Sequence, residues 1–350
     1  MMHAPVDIAV APLSPDQQAE WDAFVTEHPD GSFYHLSGWK RVFERAFGHQ
    51  TYLLAARQAG SLAGVLPLVH MKSAVFGNRL ISVAFMVYGG PLANSEAAAA
   101  RLDEAALALA DQLDADFIEY RCRAAEPARA GWQSRSDRHV TFRKPILPTD
   151  EDNLKAIPRK QRAEVRKALK AGLASEPVGD VDDLHRIMNI SYRNLGTPSF
   201  SRRYFHTLQQ EWGSAAQTLV IKHGTEPIAA VMSFFFRDEV LPYYGGATLA
   251  ARRYSANDFM YWEVMRRACA DGYKMFDFGR SKVGTGAYNF KKYWGFEPEP
   301  LHYHYHLRKG GEVPDASPAN PKYQAAIRVW RRLPLWLTRH AGPLVSRQLG

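Results

Sequence analysis

The segment from Gly284 to Phe296 gathers more groups able to hold a reacting substrate than any other stretch of the chain. Tyr288 and Asn289 offer hydrogen bonds, Phe290 and Trp294 offer flat apolar surface, and Lys291 and Lys292 place two cations side by side. Adjacent lysines resist each other's protonation, so one can meet an anion or a developing oxyanion while the other faces water. Gly284 and Gly286 loosen the backbone, and the same pattern is compatible with a β-hairpin carrying exposed lysines. Just upstream, Met275-Phe276-Asp277-Phe278 reads as a strand that stops at Gly279 and is followed by the polar pair Arg280-Ser281. Strand ends are where α/β folds place ligands. The same residues also describe a plain turn, in which Asp277 accepts backbone hydrogen bonds and Gly279 supplies a positive φ. A third stretch, Ala251 to Asp258, includes Asn257 and leads into a helix over Phe259 to Ala270, whose N-terminal N–H groups can bind a phosphate. Such groups suit acyl transfer to an amine, which must orient two substrates, shed a proton and stabilise an oxyanion.

The elements that would position these residues occur twice. Leu53-Leu54-Ala55-Ala56 and, after a polar turn, Leu62-Ala63-Gly64-Val65-Leu66 match Leu219-Val220-Ile221-Lys222 and Ile228-Ala229-Ala230-Val231-Met232. Both read as hairpins, because two apolar runs flank a glycine-containing turn. Tyr88-Gly89-Gly90 corresponds to Tyr244-Gly245-Gly246, and each copy continues into a helical stretch and a strand, Phe117 to Tyr120 in one and Met275 to Phe278 in the other. Asp277 thereby matches Glu119, so an acid at this place also fits a purely architectural role. The spacing between copies is far longer than the unit of a solenoid and indicates duplicated domains. The expected fold class is α/β, in two tandem units with mixed sheets flanked by helices: residues 1–149, then 150–308 with the active site, then a basic extension over 309–350. Leu147-Pro148-Thr149 is the expected linker.

With 350 residues and 46% hydrophobic content, two cores of ordinary size can be buried. Met1 to Pro15 shows no basic region followed by an apolar run, and the longest uncharged stretch, Leu80 to Ser95, is too short and too broken by Gly89, Gly90 and Pro91 to span a membrane. Cys122 and Cys269 have neither metal nor disulfide spacing and read as small buried hydrophobes in a reducing compartment, so a cytoplasmic protein is expected. The net charge of +8 favours anionic partners. Arg159 to Lys170 concentrates six cations, with Arg159, Arg162 and Arg166 on one side and Val165, Ala168 and Leu169 toward another. This helix is either an ordinary solvated face or a phosphate contact. The tail, with Ile327, Trp330 and Leu333 at helical spacing, is expected to dock on the second domain, with contact to an anionic membrane surface as the alternative. His302, His304 and His306 alternate with tyrosines and share one strand face, but no acid or cysteine lies near them in sequence, and no metal is expected.

In their order, the helix Ile157 to Ala168, the strand end Phe276-Asp277-Phe278-Gly279 and the run Asn289-Phe290-Lys291-Lys292-Tyr293-Trp294-Gly295-Phe296 resemble the FemAB-like proteins. More closely, the chain resembles the branch that accompanies exosortase and PEP-CTERM exopolysaccharide gene clusters in Gram-negative bacteria. The likeness spans about Ser32 to Arg308. It implies a tandem pair of acetyltransferase-like (GNAT) domains, no metal and no tightly bound cofactor. It also implies transfer of an aminoacyl group from aminoacyl-tRNA, or of an acyl group from acyl-CoA or acyl carrier protein, to an amine of a cell-envelope or exopolysaccharide precursor. A lysine at the reaction centre maps onto Phe290-Lys291, with Lys292 as the neighbouring choice. On this basis Lys291 is assigned to charge stabilisation and Asp277 or a substrate group to proton removal, with Tyr244, Asn257, Arg280, Ser281, Tyr288, Asn289, Phe290, Lys292 and Trp294 lining the substrate site. Arg159, Arg162 and Arg166 would meet transfer RNA or sugar phosphate. The chain lacks the long helical arm of some relatives and the glycine-rich pyrophosphate loop of ordinary acetyl-CoA enzymes. Two alternatives stand beside aminoacyl transfer: an acyl-CoA-dependent N-acyltransferase, and a non-catalytic scaffold for RNA or a partner. Peripheral contact with the inner membrane is a further expectation.

Overall fold

A computed structural model describes residues 7–313 and 321–350. The chain divides into two compact units. The first comprises residues 7–138, 300–313 and 348–350, and the second residues 139–299 and 321–347. These limits differ from the linear division at 149/150 and 308. Leu147-Pro148-Thr149 lies within the second unit, where Asn153 ties down Leu147 from both sides and Thr149 caps the helix Asp150–Ala156.

Each unit is built on one mixed sheet with the same strand order. In the first, the strands Ile8–Pro12, Thr51–Gln58, Ser61–Ser73, Gly77–Ile81, Phe117–Cys122, His302–Leu307 and Gln133–Arg135 lie side by side in that order. In the second the equivalent order is Leu173–Val178, Ala216–His223, Glu226–Phe236, Glu239–Ala247, Met275–Asp277, His139–Pro145 and Ser281–Lys282. The fourth and fifth strands are parallel in both sheets and the other neighbours antiparallel. The sixth strand explains why the linear boundaries fail. The first sheet takes its sixth strand from beyond the second unit, and the second takes its own from the segment that a linear reading gives to the first.

The hairpins arise as the sequence suggests. Ala59 and Gly60, both at positive φ, form the two-residue turn between Thr51–Gln58 and Ser61–Ser73. The second hairpin pairs Ala216–His223 with Glu226–Phe236 and carries a register shift close to the place where the first hairpin has one. One correspondence does not hold. Tyr244-Gly245-Gly246 lies inside a continuous strand, whereas Tyr88-Gly89-Gly90 sits in an irregular segment after Gly77–Ile81.

Helices cover the sheets through small or apolar faces. Glu96–Gln112, capped by the Ser95 side chain, buries Ala98, Leu102, Ala106 and Ala110 on the first sheet. On one face of the second sheet, Ala256–Ala270 buries Met260, Trp262, Val264 and Ala268. The helix Arg159–Leu169 packs into the same core through Val165 and Ala168. Strand residues alternate between faces, so Tyr244 turns to the opposite side and meets Tyr204 and Phe205 of the helix Arg202–Trp212. The tail docks on the second unit: Arg331 donates to the Leu195 carbonyl and Arg193 to that of Leu333. Among the described residues no helix is long and apolar enough to cross a membrane.

Candidate active site

The second unit ends its fifth strand at Asp277, and the chain returns as the helix Gly286–Tyr293. This replaces the expected hairpin, and local chemistry accounts for it. The Thr285 hydroxyl accepts the Tyr288 N–H at the start. At the other end Gly295 adopts a left-handed φ, its N–H reaches the Lys292 carbonyl, and the Phe296 N–H reaches that of Lys291. Both ends of the helix are therefore closed. Trp294 and Phe296 beyond it are fully buried and fix its placement on the core.

That helix directs Lys291 back over the strand end. Its ammonium donates to the carbonyls of Gly279 and Arg280, at 2.8 and 3.1 Å. It also lies 5.5 Å from the ring centre of Phe142 and 5.6 Å from that of Phe278. Burial pushes the Lys291 ammonium down to about 7; the nearby Asp277 charge works against this, and Arg280 adds to it. Lys291 thus sits on the threshold between charged and neutral, in a surrounding where charge is poorly screened.

Asp277 is fully buried and holds the strand end together. It accepts from the Gly279 N–H at 2.8 Å and from the Thr141 hydroxyl at 3.2 Å, with the Arg143 guanidinium at 3.6 Å. Arg143 is shared with Glu239. Thr141, Phe142 and Arg143 come from the sixth strand, so nothing close to Asp277 in sequence foretold them.

Beside this cluster the parallel strands part. Their register runs only from Glu239↔Met275 to Val240↔Phe276; beyond it the Phe278 N–H bonds to the Phe142 carbonyl instead, while the neighbouring strand continues to Ala247 paired only with Glu226–Phe236. Tyr261, from the helix Ala256–Ala270, lies against both sides of this wedge. Its ring is 4.6 Å from that of Phe278 and 5.8 Å from that of Phe290, and its hydroxyl would stand 2.5 Å from a Cβ placed on Gly245. Only glycine admits that approach. Tyr261 was missed in the sequence because a tyrosine at helical spacing looks like any core aromatic.

The other expected residues separate into two groups. Arg280, Ser281, Tyr288 and Phe290 lie around Lys291: the Arg280 carbonyl binds the ammonium, Tyr288 meets the Phe142 ring edge-on, and the Ser281 hydroxyl is buried without a hydrogen-bond partner. Lys292 is exposed, with its ammonium over Tyr288, and Asn289 faces solvent. The second group lies elsewhere. Tyr244 is buried among aromatic rings with its hydroxyl 2.5 Å from that of Tyr204. Trp294 is a core residue that donates to Asp258. Asn257 is exposed in the first turn of its helix. Arg159 and Arg166 project into solvent, and Arg162 reaches the Lys155 carbonyl. Two cavities, of about 440 and 280 Å³, lie away from Lys291, one in each unit.

Two mixed sheets of this order, each with parted parallel strands, define a tandem GNAT fold, and residues 159–292 match the model of an acetyltransferase (GNAT) domain. The chain is similar in structure to FemX, with a TM-score of 0.69 and 17% identity over 91% of this chain and 100% of that one. It is also similar to a tandem GNAT protein from the clavulanic acid biosynthesis pathway (TM-score 0.59, 12% identity, 87% of this chain and 100% of that one). The C-terminal domain of a putative lysylphosphatidylglycerol synthetase from Agrobacterium fabrum gives a TM-score of 0.53 at 12% identity, over 90% and 94% of the two chains. No curated protein matches by sequence.

Proposed function

We propose that this protein is an N-acyl or aminoacyl transferase whose reaction centre is the strand end of the second unit, with Lys291 as the charge-stabilising group. The observation that carries this reading is the Lys291 ammonium anchored on two carbonyls, over two aromatic rings, beside the parted strands. An ammonium has three N–H donors. Two are engaged here, which leaves one for an acyl oxygen as it becomes an oxyanion. In a half-buried site such a donor is worth more than in water. Asp277 acts as a positioning residue: its carboxylate fixes the Gly279 turn whose carbonyl grips Lys291. The proton lost by the attacking amine then passes to a substrate group or water.

The acceptor in this reading is an amine of a cell-envelope or exopolysaccharide precursor, met in the cytoplasm, and the PEP-CTERM/exosortase association follows the family resemblance. The donor is an aminoacyl-tRNA, for which the exposed Arg159 and Arg166 and the net charge of +8 provide attraction. An acyl-CoA donor is the second reading, favoured by the acetyltransferase-type match over 159–292. Thermal denaturation with acetyl-CoA, longer acyl-CoAs and charged tRNA separates the two, because a ligand of the native state raises the melting temperature. On the transfer assay that follows, full activity of Lys291→Ala would refute the assignment.

A further inference from the structure

The first unit brings together three metal-binding groups that the sequence holds far apart. One ligand atom each from Cys122, Glu126 and His304 lie within 4.8 Å of one another. Pairing of Phe117–Cys122 with His302–Leu307 explains the convergence: His302 stands opposite Cys122 and His304 opposite Tyr120, which places the His304 and Cys122 side chains diagonally on one face. Cys122 is 4% exposed and His304 3%. The ring of His304 is held at Nδ1 by the Ser134 hydroxyl at 2.7 Å, while Nε2 is buried with no hydrogen-bond partner. A buried ring nitrogen left without a partner costs free energy, and a bound cation removes that cost.

We propose that Cys122, Glu126 and His304 form a zinc-type divalent-cation site that fastens the sixth strand of the first sheet to the fifth. Thiolate, imidazole and carboxylate are zinc's usual ligands, and bond lengths of about 2.0–2.3 Å bring such atoms within about 4 Å of one another. The geometry found here is close to that. With Nδ1–H donating to the Ser134 hydroxyl, Nε2 presents its lone pair, the tautomer that outer partners of metal-bound histidines hold. Charge also balances. Arg129 bridges Asp103 and Glu126 at 2.7 and 2.6 Å, which leaves one negative charge in excess. A divalent ion with the Cys122 thiolate supplies one positive charge. With three protein ligands a fourth position remains, for water or a small ligand in the cavity of about 440 Å³ that Cys122 and Glu126 line. The chain passes closely here: a Cβ on Gly90 would lie 2.4 Å from the Cys122 sulfur.

The test uses the full chain stripped by a chelator and titrated with Co²⁺ and Zn²⁺. We expect one equivalent of Co²⁺ to bind with a thiolate-to-cobalt charge-transfer band, and Zn²⁺ to displace it and raise the melting temperature. Cys122 and Cys269 are the two cysteines of the chain, so the band is assignable. It should vanish in Cys122→Ser and persist in Cys269→Ser, and His304→Gln should weaken cobalt binding about tenfold or more. No charge-transfer band in the wild-type chain, or a band that survives Cys122→Ser, overturns the proposal. The wild-type arm needs no variant to fold, so a misfolded Cys122→Ser leaves the zinc-dependent melting shift and the cobalt stoichiometry to decide.

Discussion

The two units share a strand order yet treat the parting of their fourth and fifth strands in opposite ways. In the first, the register ends at Ile81↔Glu119, and the following chain fills the wedge. The Ser82 N–H bonds to the Glu119 carbonyl, the Ser82 hydroxyl accepts the Arg121 N–H, and the Gly89 N–H reaches the Arg121 carbonyl. In the second, the register ends at Val240↔Phe276, the strand runs on to Ala247, and Tyr261, Phe278 and Lys291 gather beside the gap. The buried acids at equivalent positions differ to match. Glu119 is paired with Arg121 at 2.7 Å on its own strand, while Asp277 organises the turn that holds Lys291. A duplicated frame therefore permits two fates, one wedge closed by main chain and one flanked by Tyr261, Phe278 and Lys291.

The comparison breaks most sharply at Lys291. Lys291→Ala is expected to lower kcat/KM by about 10²–10³-fold, the loss typical of a removed oxyanion donor, whereas Lys292→Ala costs only a few-fold because its ammonium is on the exposed side. Steady-state transfer assays read this directly. Next come the matched acids. Glu119→Gln leaves the buried Arg121 without its carboxylate and should destabilise the chain by about 3 kcal/mol. Asp277→Asn should cost less, about 1–2 kcal/mol, because Arg143 keeps Glu239. Chemical denaturation measures both. Asp277→Asn alone should also lower the proton affinity of Lys291, since the Asp277 charge is what raises it; NMR titration of the Lys291 side chain reads that shift.

Much of this contrast was legible in the sequence. The repeat is visible because matching apolar runs recur with matching glycine turns, and the segment Gly284 to Phe296 stands out because few stretches combine aromatics, amides and adjacent cations. What escaped depends on long-range pairing. The sixth strands are exchanged along the chain, so Thr141, Phe142 and Arg143 reach Asp277, and His304 reaches Cys122, through sheet register that no local pattern records. The His302/His304/His306 alternation gave the shared face, but the neighbouring Cys122 comes from the fifth strand of the same sheet, far away along the chain. The helix Gly286–Tyr293 is a different kind of error. Thr285 and Gly295 signal its two ends, and the weight given to Gly284 and Gly286 as turn residues hid them.

Burial of Lys291 predicts a stability effect opposite in sign to its effect on transfer. Its folded-state value near 7 lies below the ordinary 10.5 of an unfolded lysine. The unfolded chain therefore binds more protons between these values, and the wild-type protein gains stability as pH rises from about 7 toward 10.5. Lys291→Met removes the cost of burying the ammonium but forfeits the bonds to Gly279 and Arg280. The variant should be more stable than wild type by about 1–2 kcal/mol at pH 7, with the gain shrinking as pH approaches 10. Thermal denaturation of both proteins at pH 7 and 9.5 decides it, and a gain that grows with pH would contradict a buried, depressed lysine.

The smallest effect tests whether the helix or its lysine sets the second wedge apart. Thr285 accepts the Tyr288 N–H and donates to the Lys282 carbonyl, so it closes the helix start and ties it to the strand Ser281–Lys282. Thr285→Ala should cost about 1 kcal/mol of stability, and Thr285→Ser, which keeps the hydroxyl, should recover most of it. A frayed first turn leaves Lys291, in the last turn, on its carbonyls, because Gly295, Trp294 and Phe296 hold that end. The Ala variant should then bind substrate more weakly while kcat changes less, since Tyr288 and Phe290 lose definition before the ammonium does. If kcat instead falls as far as in Lys291→Ala, the ammonium depends on the whole helix, and the open wedge owes its chemistry to the helix cap as much as to the lysine.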